Sequence, residues 1–587
     1  MDNLTVGALL DRCALVFPDK ESTIFGDRRI TWAQLNEESN KLAVGLMKLG
    51  IAKDDKVGLW MPNSVEWIVS WFALSKLGAV IIPMDTWYKP SEAEYILGHS
   101  ESVAVIVADK YQGADYVEMT ASIKARLPNM KHVIVSGEPG EDTIRFEDVQ
   151  QSGIEWRTTQ TFFKLIRSID PDDVAFILYT SGTTGKPKGA MLTHNNIVRN
   201  ATDVGRVIET SQRDRMLIPV PFSHCFGNVL SLTLCAAYGA TMVPVKAFNA
   251  EEVLKLVEKE KCTILHGVPT MFIRELEMLD RQKYDVSTLR TGIMAGAPCP
   301  VETMRGVMDV LHCNVCIGYG LTEASPLITM TRFDDPVEKR VETVGKELPD
   351  VEVRIVDDEN RPVPQGTVGE LCCRGYNVMK GYYKAREATD MAIDSEGWLH
   401  SGDLSVLDKD GYYAIVGRKK DMVIVGGFNV YPTEIEEELM KHPLIQEVAV
   451  FGVPDKDLGE VVGAAVIPLP GASLTPEDVV DHLYGNVASA KVPRYVTIGL
   501  TLPISGRGKV QKFRLRDEFR ALAERGELKR IMPTALRNKQ HLEKLGPKID
   551  KYFQAGHIPR DRREKLEKVL LSLNDDQEKL LWELLGN

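Results

Sequence analysis

The eleven residues from Tyr179 to Gly189, YTSGTTGKPKG, contain three glycines, four Ser or Thr hydroxyls and two lysines. Glycine lets successive backbone N–H groups turn toward one anion, the hydroxyls add donors, and the lysines add positive charge. This composition suits a loop that wraps a polyphosphate, and an ordinary surface turn is the alternative. The loop is not a Walker A motif, because Pro187 follows Gly185-Lys186 where that motif requires Ser or Thr.

The whole string resembles the phosphate loop of the adenylate-forming enzymes, which include acyl-CoA synthetases, luciferases and the adenylation domains of peptide synthetases. The resemblance implies that the loop binds the phosphates of ATP and that Lys188 acts in catalysis. The residues that it assigns to ATP are Thr180, Ser181, Gly182, Thr183, Thr184, Gly185 and Lys186.

A second motif, GYGLTE, ends an apolar stretch at Glu323. At this distance from the phosphate loop it resembles the nucleotide motif of the same family. The resemblance implies that Tyr319, flanked by Gly318 and Gly320, borders the adenine. It also implies that Thr322 is a catalytic contact to the α-phosphate and that Glu323 holds Mg²⁺. A carboxylate beside a hydroxyl can ligate a hard cation that bridges phosphates, and a surface carboxylate is the alternative for Glu323.

A third motif, WLHSGDL, contains Asp403. An aspartate here is compatible with a simple turn residue. The family resemblance instead implies that Asp403 accepts hydrogen bonds from both ribose hydroxyls, for which a short, rigid carboxylate is well shaped. Arg418, in GRKKD, is the second ribose contact that the resemblance implies.

The string GRKKDMVIVGGFNVYPTEIEEEL resembles the segment where the family hinges its small C-terminal domain, with Lys420 at the pivot. Gly426 and Gly427, followed by Phe428, would let a pantetheine arm pass close to the backbone. A solvated charge run is the alternative for Lys419 and Lys420.

The last motif, LPISGRGKVQK, places Lys509 in the Gly-Lys pair that the family uses in catalysis. Arg507 stands where Thr is commoner, so this match is looser than the others. The resemblance implies that Lys509 neutralises charge as the acid attacks phosphorus. A solvated lysine is the alternative.

The acyl group is expected behind two segments, PFSHCFG and MAGAPCP. The resemblance implies that His224 gates substrate entry as a catalytic group and that the second segment borders adenine and acyl group. Amino-acid-activating relatives carry an aspartate near the start of the first segment, and this sequence has none there. An acid with an uncharged tail, whether fatty, alicyclic or aryl, is therefore favoured. The residues assigned to the acyl pocket are Phe222, His224, Cys225, Phe226, Gly227 and Gly320; those of the second segment are Gly296, Ala297 and Pro298.

The motifs together imply an AMP-forming acyl-CoA ligase that uses ATP, Mg²⁺ and coenzyme A. An enzyme that loads a carrier protein in trans and a non-catalytic nucleotide-binding relative are the alternatives. A luciferase-type oxygenase would share every motif. The formal net charge of −12 argues against a nucleic-acid partner. We expect no signal peptide and no membrane span, and the nine cysteines form no disulfide framework, so a cytoplasmic enzyme is predicted.

Alternating strand and helix patterns through the first 340 or so residues predict parallel α/β layers that position these motifs. Short strands that follow predict a distorted antiparallel barrel or sheet. The predicted fold is thus a large N-terminal α/β domain (1–417), a small mobile α+β domain (418–520) and a helical extension (521–587). Asn195 and Asn196 are the predicted cap of the helix after the phosphate loop. The extension packs on its own protein or forms a dimer contact.

Overall fold

The computed structural model describes residues 4–180, 186–499, 501–503, 510–554, 563–571 and 581. The chain divides into two compact units, Met1–Ile415 and Val416–Asn587. No helix among the described residues is long and apolar enough to cross a membrane.

The strands of the first unit carry almost every motif, and β23 runs across its boundary. In chain order they are β1 (Glu21–Phe25), β2 (Arg28–Thr31), β3 (Lys56–Trp60), β4 (Val80–Pro83), β5 (Ala104–Ala108), β6 (Lys110–Tyr111), β7 (Ala114–Asp115), β8 (His132–Ser136), β9 (Ile144–Arg145), β10 (Val174–Thr180), β11 (Lys188–Thr193), β12 (Arg215–Ile218), β13 (Thr241–Pro244), β14 (Ile264–Leu265), β15 (Thr291–Ala295), β16 (Asn314–Gly320), β17 (Leu327–Met330), β18 (Lys346–Glu347), β19 (Val351–Val356), β20 (Gly369–Gly375), β21 (Gly381–Tyr382), β22 (Leu399–Leu407) and β23 (Tyr413–Arg418).

The helices of the first unit lie between and outside its sheets. They are α1 (Val6–Val16), α2 (Trp32–Lys48), α3 (Val65–Leu77), α4 (Pro90–His99), α5 (Tyr116–Lys124), α6 (Phe146–Ser152), α7 (Gln160–Arg167), α8 (His194–Val207), α9 (Cys225–Gly227), α10 (Leu234–Tyr238), α11 (Ala250–Glu260), α12 (Pro269–Arg281), α13 (Val301–Asp309), α14 (Val337–Glu342) and α15 (Arg386–Ala392).

Two large sheets form the body of this unit. The first has the strand order β18-β17-β16-β15-β14-β12-β13-β1-β2, and the second has β21-β11-β10-β4-β3-β5-β8-β9. The central pairs of both sheets are parallel. Strands β19, β20, β22 and β23 form a separate four-stranded sheet, antiparallel between β19, β20 and β22. The predicted α/β class with an added antiparallel element is therefore confirmed.

Helix α3 packs against both large sheets, and every residue of it except Glu66 is buried. Trp67 packs on Phe222, after β12, with ring centroids 5.2 Å apart. Trp71 packs on Phe176 of β10 at 5.4 Å. A shared core thus fixes the phosphate-loop strand relative to the segment predicted to hold the acyl group.

The second unit is a small α+β body with a helical extension. Its strands β24 (Val423–Val425), β25 (Phe428–Val430), β26 (Ile445–Asp455), β27 (Gly459–Pro468) and β28 (Tyr495–Ile498) form one sheet. Its helices are α16 (Pro432–Leu439), α17 (Pro476–Leu483), α18 (Lys512–Glu524), α19 (Thr534–Gln554) and α20 (Arg563–Leu571).

The extension packs on its own unit at its start. Ile531 enters the core beneath the sheet, and the Thr534 backbone N–H donates to Asp481 Oδ1 at 2.6 Å. Helices α19 and α20 share a small apolar cluster of Leu545, Ile549, Leu566 and Leu570.

The helix after the phosphate loop is capped differently from the prediction. Thr193 is the N-cap of α8, and its hydroxyl accepts from the Asn196 backbone N–H at 3.1 Å. The Asn196 side chain accepts from the Thr193 N–H in return at 2.8 Å. The predicted cap at Asn195 or Asn196 is wrong, because Asn196 is the reciprocal partner in a capping box one turn inside.

Two histidines of the first unit are fully buried and neutral. His194 Nδ1 accepts from the Val6 backbone N–H at 3.3 Å, and His266 Nδ1 accepts from the Ile293 N–H at 3.1 Å. Burial lowers the pKa of each imidazole from 6.5 to about 4. Between these two values the unfolded chain binds a proton that the folded chain does not, so the free energy of unfolding falls as the pH falls.

We therefore expect acid to destabilise the first unit by up to about 3 kcal/mol per histidine. The test is the melting temperature of wild type and His266→Asn at about pH 7.5 and about pH 5. The variant should lose less stability than wild type across this interval, although it starts lower. His312→Asn, at an exposed position, should keep the wild-type pH dependence; an equal dependence in His266→Asn would contradict the assignment.

Candidate active site

The carboxyl ends of β15 and β16 bring two predicted segments side by side. These strands pair in parallel with Ala295 opposite Gly318. Residues 296–298, which follow β15 and are exposed, therefore lie next to residues 318–320. Gly320 has no room for a side chain, since a Cβ atom there would lie 1.8 Å from the Pro326 carbonyl oxygen. Ligands of open α/β sheets bind at this edge.

Glu323 is held by two hydroxyl groups from other elements. It lies in a 3₁₀ turn, Thr322–Ala324, directly after β16, and its side chain is buried. Its Oε1 accepts from Thr180 Oγ1 at 3.1 Å and from the Tyr382 hydroxyl at 2.9 Å. Thr180 ends β10 and Tyr382 belongs to β21, so the phosphate-loop strand and the GYGLTE motif meet at this carboxylate.

Tyr382 is a site residue that the sequence reasoning missed. Burial and the nearby Glu323 charge raise the pKa of Tyr382, so its hydroxyl remains a donor. Its backbone pairs with Ala190 of β11, on the far side of the phosphate loop. The aromatic pair in GYYK was the available signal, but a separation of 59 residues from Glu323 gives no indication of contact.

The two lysines of the loop face aromatic rings. Lys188 begins β11 opposite Thr180, and its Nζ lies 5.3 Å from the Tyr382 ring centroid. Lys186 is exposed, with its Nζ 5.8 Å from the Tyr95 ring centroid. Both ammonium groups thus flank the hairpin that carries the loop. Ser181, Gly182, Thr183, Thr184 and Gly185 lie outside the described residues.

Asp403 lies within β22, where the antiparallel register is interrupted, rather than in a turn after the strand. Its Oδ2 accepts from the Tyr319 hydroxyl at 2.7 Å. Burial and the Asp403 charge raise the pKa of Tyr319 well above its ordinary value, which keeps this hydroxyl a donor. Two residues predicted to contact one nucleoside are therefore in direct contact.

His224 forms a pair that the sequence did not indicate. Its Nε2 lies 3.4 Å from Asp85 Oδ2, and Asp85 is a buried residue two positions after the end of β4. Asp85 Oδ1 also accepts from the Trp87 backbone N–H at 3.1 Å. The Asp85 carboxylate thus lies beside His224, the predicted gate, but it already has a histidine and a backbone N–H as partners.

The remaining residues assigned to the acyl pocket differ in exposure. Phe222, Cys225 and Gly227 are buried, whereas Phe226 is partly exposed. The Phe222 backbone is held on both sides, since its N–H donates to Asn63 Oδ1 at 2.8 Å and its carbonyl accepts from Asn228 Nδ2 at 3.0 Å. Phe226 is the member of this set that can present its ring to a ligand.

His266 packs against Phe226. It is a site residue that the sequence analysis did not identify. Its ring stacks on Phe226 with centroids 5.6 Å apart. Nε2 lies 3.1 Å from the Leu230 carbonyl in a π-helical stretch, Asn228–Thr233, and donates to it because Nδ1 accepts from Ile293 N–H. The neutral imidazole thus ties β15 to this helix. Its place at the carboxyl end of β14 was the available signal.

The described candidate residues of the second unit lie near its N-terminal end, between residues 418 and 428. Lys420 lies in a 3₁₀ turn, Lys419–Asp421, directly after Arg418. Gly426 and Gly427 are the central pair of the tight hairpin between β24 and β25, with φ of +57° and +87°. Glycine is required there for the turn itself. Phe428 is 70% exposed beside it, and Lys509 lies outside the described residues.

The cysteines do not form a metal site among the described residues. All nine are buried free thiols, including Cys313 and Cys316 with their metal-like spacing. No group of three or more His, Cys, Asp or Glu side chains in this part of the chain could hold a metal ion.

Comparison with known proteins agrees with this geometry. The family model for AMP-binding enzymes matches residues 10–383, and the model for the AMP-binding enzyme C-terminal domain matches residues 434–509. YngI of Bacillus subtilis (strain 168), named as an acyl-CoA synthetase, is 45% identical over 531 residues, which cover 88% of this chain and 97% of YngI. The human mitochondrial medium-chain acyl-CoA ligase ACSF2 is 34% identical over 542 residues, 88% of each chain.

Two solved structures share the fold. The anthranilate CoA ligase AuaEII, in complex with anthranoyl-AMP, has a TM-score of 0.79 at 28% identity and covers 89% of this chain and 99% of its own. ATP-bound MatB from Rhodopseudomonas palustris has a TM-score of 0.78 at 30% identity, with 88% and 99% covered. The chain belongs to the AMP-binding enzyme family and, within it, is an acyl-CoA synthetase homologue.

Proposed function

We propose that this protein joins a carboxylic acid with an uncharged tail to coenzyme A at the expense of ATP, releasing AMP and pyrophosphate. The observation that carries the proposal is a pair of carboxylates, each of which accepts hydrogen bonds from hydroxyl groups and one of which contacts the motif that contains the other. Glu323 is held by Thr180 and Tyr382, and Asp403 is held by Tyr319. Tyr319 and Glu323 lie four positions apart in one motif. Because Tyr319 contacts Asp403, this motif links a carboxylate suited to a phosphate-bound cation with one suited to a diol.

The reaction has two steps. An oxygen of the acid forms a bond to the α-phosphorus of ATP, and the bond from that phosphorus to pyrophosphate breaks. The thiol sulfur of coenzyme A then bonds to the acyl carbon, loses its proton, and AMP leaves with the former carboxylate oxygen. We propose that Thr322, Lys188 and Lys509 stabilise the negative charge on the phosphates. His224 lies at the entrance through which the acid binds. Catalysis is then orientation and charge neutralisation, without a protein nucleophile.

The residues around Glu323 fit a magnesium ion. Oε1 already accepts two hydrogen bonds, and no described residue donates to Oε2. Mg²⁺ binds through one or two carboxylates and takes its other ligands from phosphates and water. We therefore propose that Glu323 Oε2 holds Mg²⁺, which would neutralise phosphate charge when bound.

We infer the class of the substrate acid from the residues beside His224 and from the name of a relative. Asp85 is engaged by His224 and a backbone N–H, so it is a poor partner for a substrate ammonium. The name of the human relative makes medium-chain fatty acids the first class to test. Pyrophosphate release should be measured over short, medium, branched, alicyclic and aromatic acids, with and without coenzyme A. Pyrophosphate without any acyl-CoA would favour a carrier-protein acceptor, and no pyrophosphate with any acid would favour a non-catalytic relative.

Tyr382→Phe should weaken the use of Mg²⁺. It removes one donor to Glu323 but keeps the ring beside Lys188. A hydrogen bond to a charged group contributes about 1.5–3 kcal/mol, so we expect the Mg²⁺ concentration for half-maximal pyrophosphate release to rise about tenfold or more.

The neighbouring tyrosine supplies the matched control. The Tyr383 hydroxyl donates to Glu101 Oε2 at 3.1 Å on the surface, away from Glu323. Tyr383→Phe should therefore leave the Mg²⁺ dependence unchanged. Equal dependence in both variants and wild type would show that Tyr382 does not orient Glu323.

We also propose that the small domain, 418–520, pivots at Lys420 between the two steps, with Arg418 contacting ribose and the Gly426–Phe428 hairpin approaching the thiol arm. A backbone restricted at position 420 should slow that change. Lys420→Pro should therefore reduce acyl-CoA turnover more than single-turnover formation of the adenylate, whereas Lys420→Ala tests the side chain alone. Unchanged overall turnover in Lys420→Pro would count against a pivot here.

The helical extension, 521–587, is proposed as a contact between two copies of the chain, and the enzyme is proposed to act in the cytoplasm. The molar mass of the full chain by light scattering tests the dimer, and cell fractionation tests the location.

A further inference from the structure

The aspartate proposed for ribose stands in an irregular part of β22. Pairing with β20 is regular from Gly369 opposite Ser405 to Glu370 opposite Leu404, and it resumes at Cys372 opposite His400. Residues 401–403 therefore face a single residue of β20. A bulge of this kind turns a side chain out of the regular alternation of a strand. Here it accompanies the contact of Asp403 with Tyr319.

The backbone of this bulge needs support from side chains. Gly402 has φ of +71°, in the left-handed region. Ser401 Oγ donates to the Leu371 carbonyl at 2.6 Å, and the Asp403 N–H donates to Ser401 Oγ at 3.1 Å. These bonds close the bulge on one side but leave the Gly402 N–H to another acceptor.

That acceptor is the Glu370 carboxylate. Its Oε1 accepts from the Gly402 N–H at 3.0 Å, and its Oε2 lies 3.3 Å from His400 Nδ1. His400 Nδ1 is also 3.4 Å from Cys372 Sγ, so the imidazole is held on the same face. One carboxylate thus spans the residues on both sides of Ser401. Glu370 is only 8% exposed, and a carboxylate this buried requires such donors to be tolerated.

We propose that Glu370 is a positioning residue for nucleotide recognition: it fixes the Gly402 backbone so that Asp403 is presented to the ribose hydroxyls. The inference rests on the ribose role proposed for Asp403. It predicts that Glu370 touches no substrate yet controls how well the enzyme distinguishes a ribonucleotide from a deoxyribonucleotide. A residue that only stabilised the sheet would change activity with both nucleotides alike.

The test is the ratio of kcat/KM for ATP to kcat/KM for 2′-deoxyATP in pyrophosphate release. Wild type should prefer ATP, and Asp403→Asn should lose most of that preference. Glu370→Ala should lose about tenfold of it, because the bulge is no longer anchored. Glu370→Gln keeps an acceptor for Gly402 N–H and should retain most of the preference. Glu352→Gln, at an exposed carboxylate of β19, should leave it unchanged.

Glu370→Asp guards against a variant that fails to fold, because it keeps the charge but draws the oxygens back. It should show an intermediate loss of preference, and calorimetric binding of AMP against 2′-deoxyAMP should show the same order. Wild-type preference in both Glu370→Ala and Glu370→Asp, with a loss in Asp403→Asn, would overturn the positioning role of Glu370 and leave the ribose role of Asp403 intact. Wild-type preference in Asp403→Asn would instead overturn the ribose role itself.

Discussion

Glu323→Gln should reduce the rate of adenylation by about 10²–10³-fold, while thioester formation from supplied acyl-AMP changes far less. Glutamine keeps an oxygen that can accept from Thr180 and Tyr382, so the local fold should survive. It removes the negative charge of the carboxylate that we propose as the Mg²⁺ ligand. Glu323 would hold a cation that neutralises phosphate charge, and no pyrophosphate takes part in the second step.

Rapid-quench measurement of acyl-AMP at saturating ATP and Mg²⁺ gives the first rate. Release of AMP from supplied acyl-AMP and coenzyme A gives the second. Glu347→Gln, at an exposed carboxylate of the same sheet, is the matched control and should behave as wild type. A Glu323→Gln enzyme that adenylates at the wild-type rate would exclude Glu323 as the cation ligand.

Lys509→Ala should abolish adenylation and largely spare the second step. We propose that the Lys509 ammonium group neutralises the negative charge that develops as the acid attacks phosphorus. Removing one group that stabilises such charge commonly lowers the rate by about 10²–10³-fold. Once the adenylate has formed, that developing charge is no longer present. The half-reactions should therefore separate in this variant, as measured by the same two assays.

Lys441→Ala provides the control for Lys509→Ala, because Lys441 is an exposed lysine of the same unit that pairs with the nearby Glu438 at 2.6 Å. Both of its half-reactions should match wild type. Equal loss of both steps in Lys509→Ala would contradict the role assigned to this lysine.

Much of the fold follows from local pattern. Helix α2 begins at Trp32 after a Thr31 capping box, which is a local signal readable from the sequence. The alternation of apolar strands with helices around α3 predicts parallel layers, and both large sheets have them. The chain order of these elements also places the GYGLTE motif at a strand end, where it is found.

Contacts between distant segments could not be predicted in this way. A period-two strand pattern gives no sign that β22 bulges at residues 401–403, because a bulge depends on what the partner strand and its side chains accept. The Asp85–His224 and Tyr382–Glu323 pairs join separate elements, and their residues look like isolated polar or aromatic positions in the sequence. Tertiary packing, rather than local propensity, creates these pairs.

The fate of one oxygen atom tests the central claim most directly. If the acid is activated by joining to AMP, an oxygen of its carboxylate must leave with AMP when the thiol attacks. A substrate acid labelled with heavy oxygen in its carboxylate, incubated with enzyme, Mg²⁺, ATP and coenzyme A, should give AMP that carries one labelled oxygen per turnover, as read by mass spectrometry. AMP without the label, or acyl-CoA formed without AMP, would contradict the account.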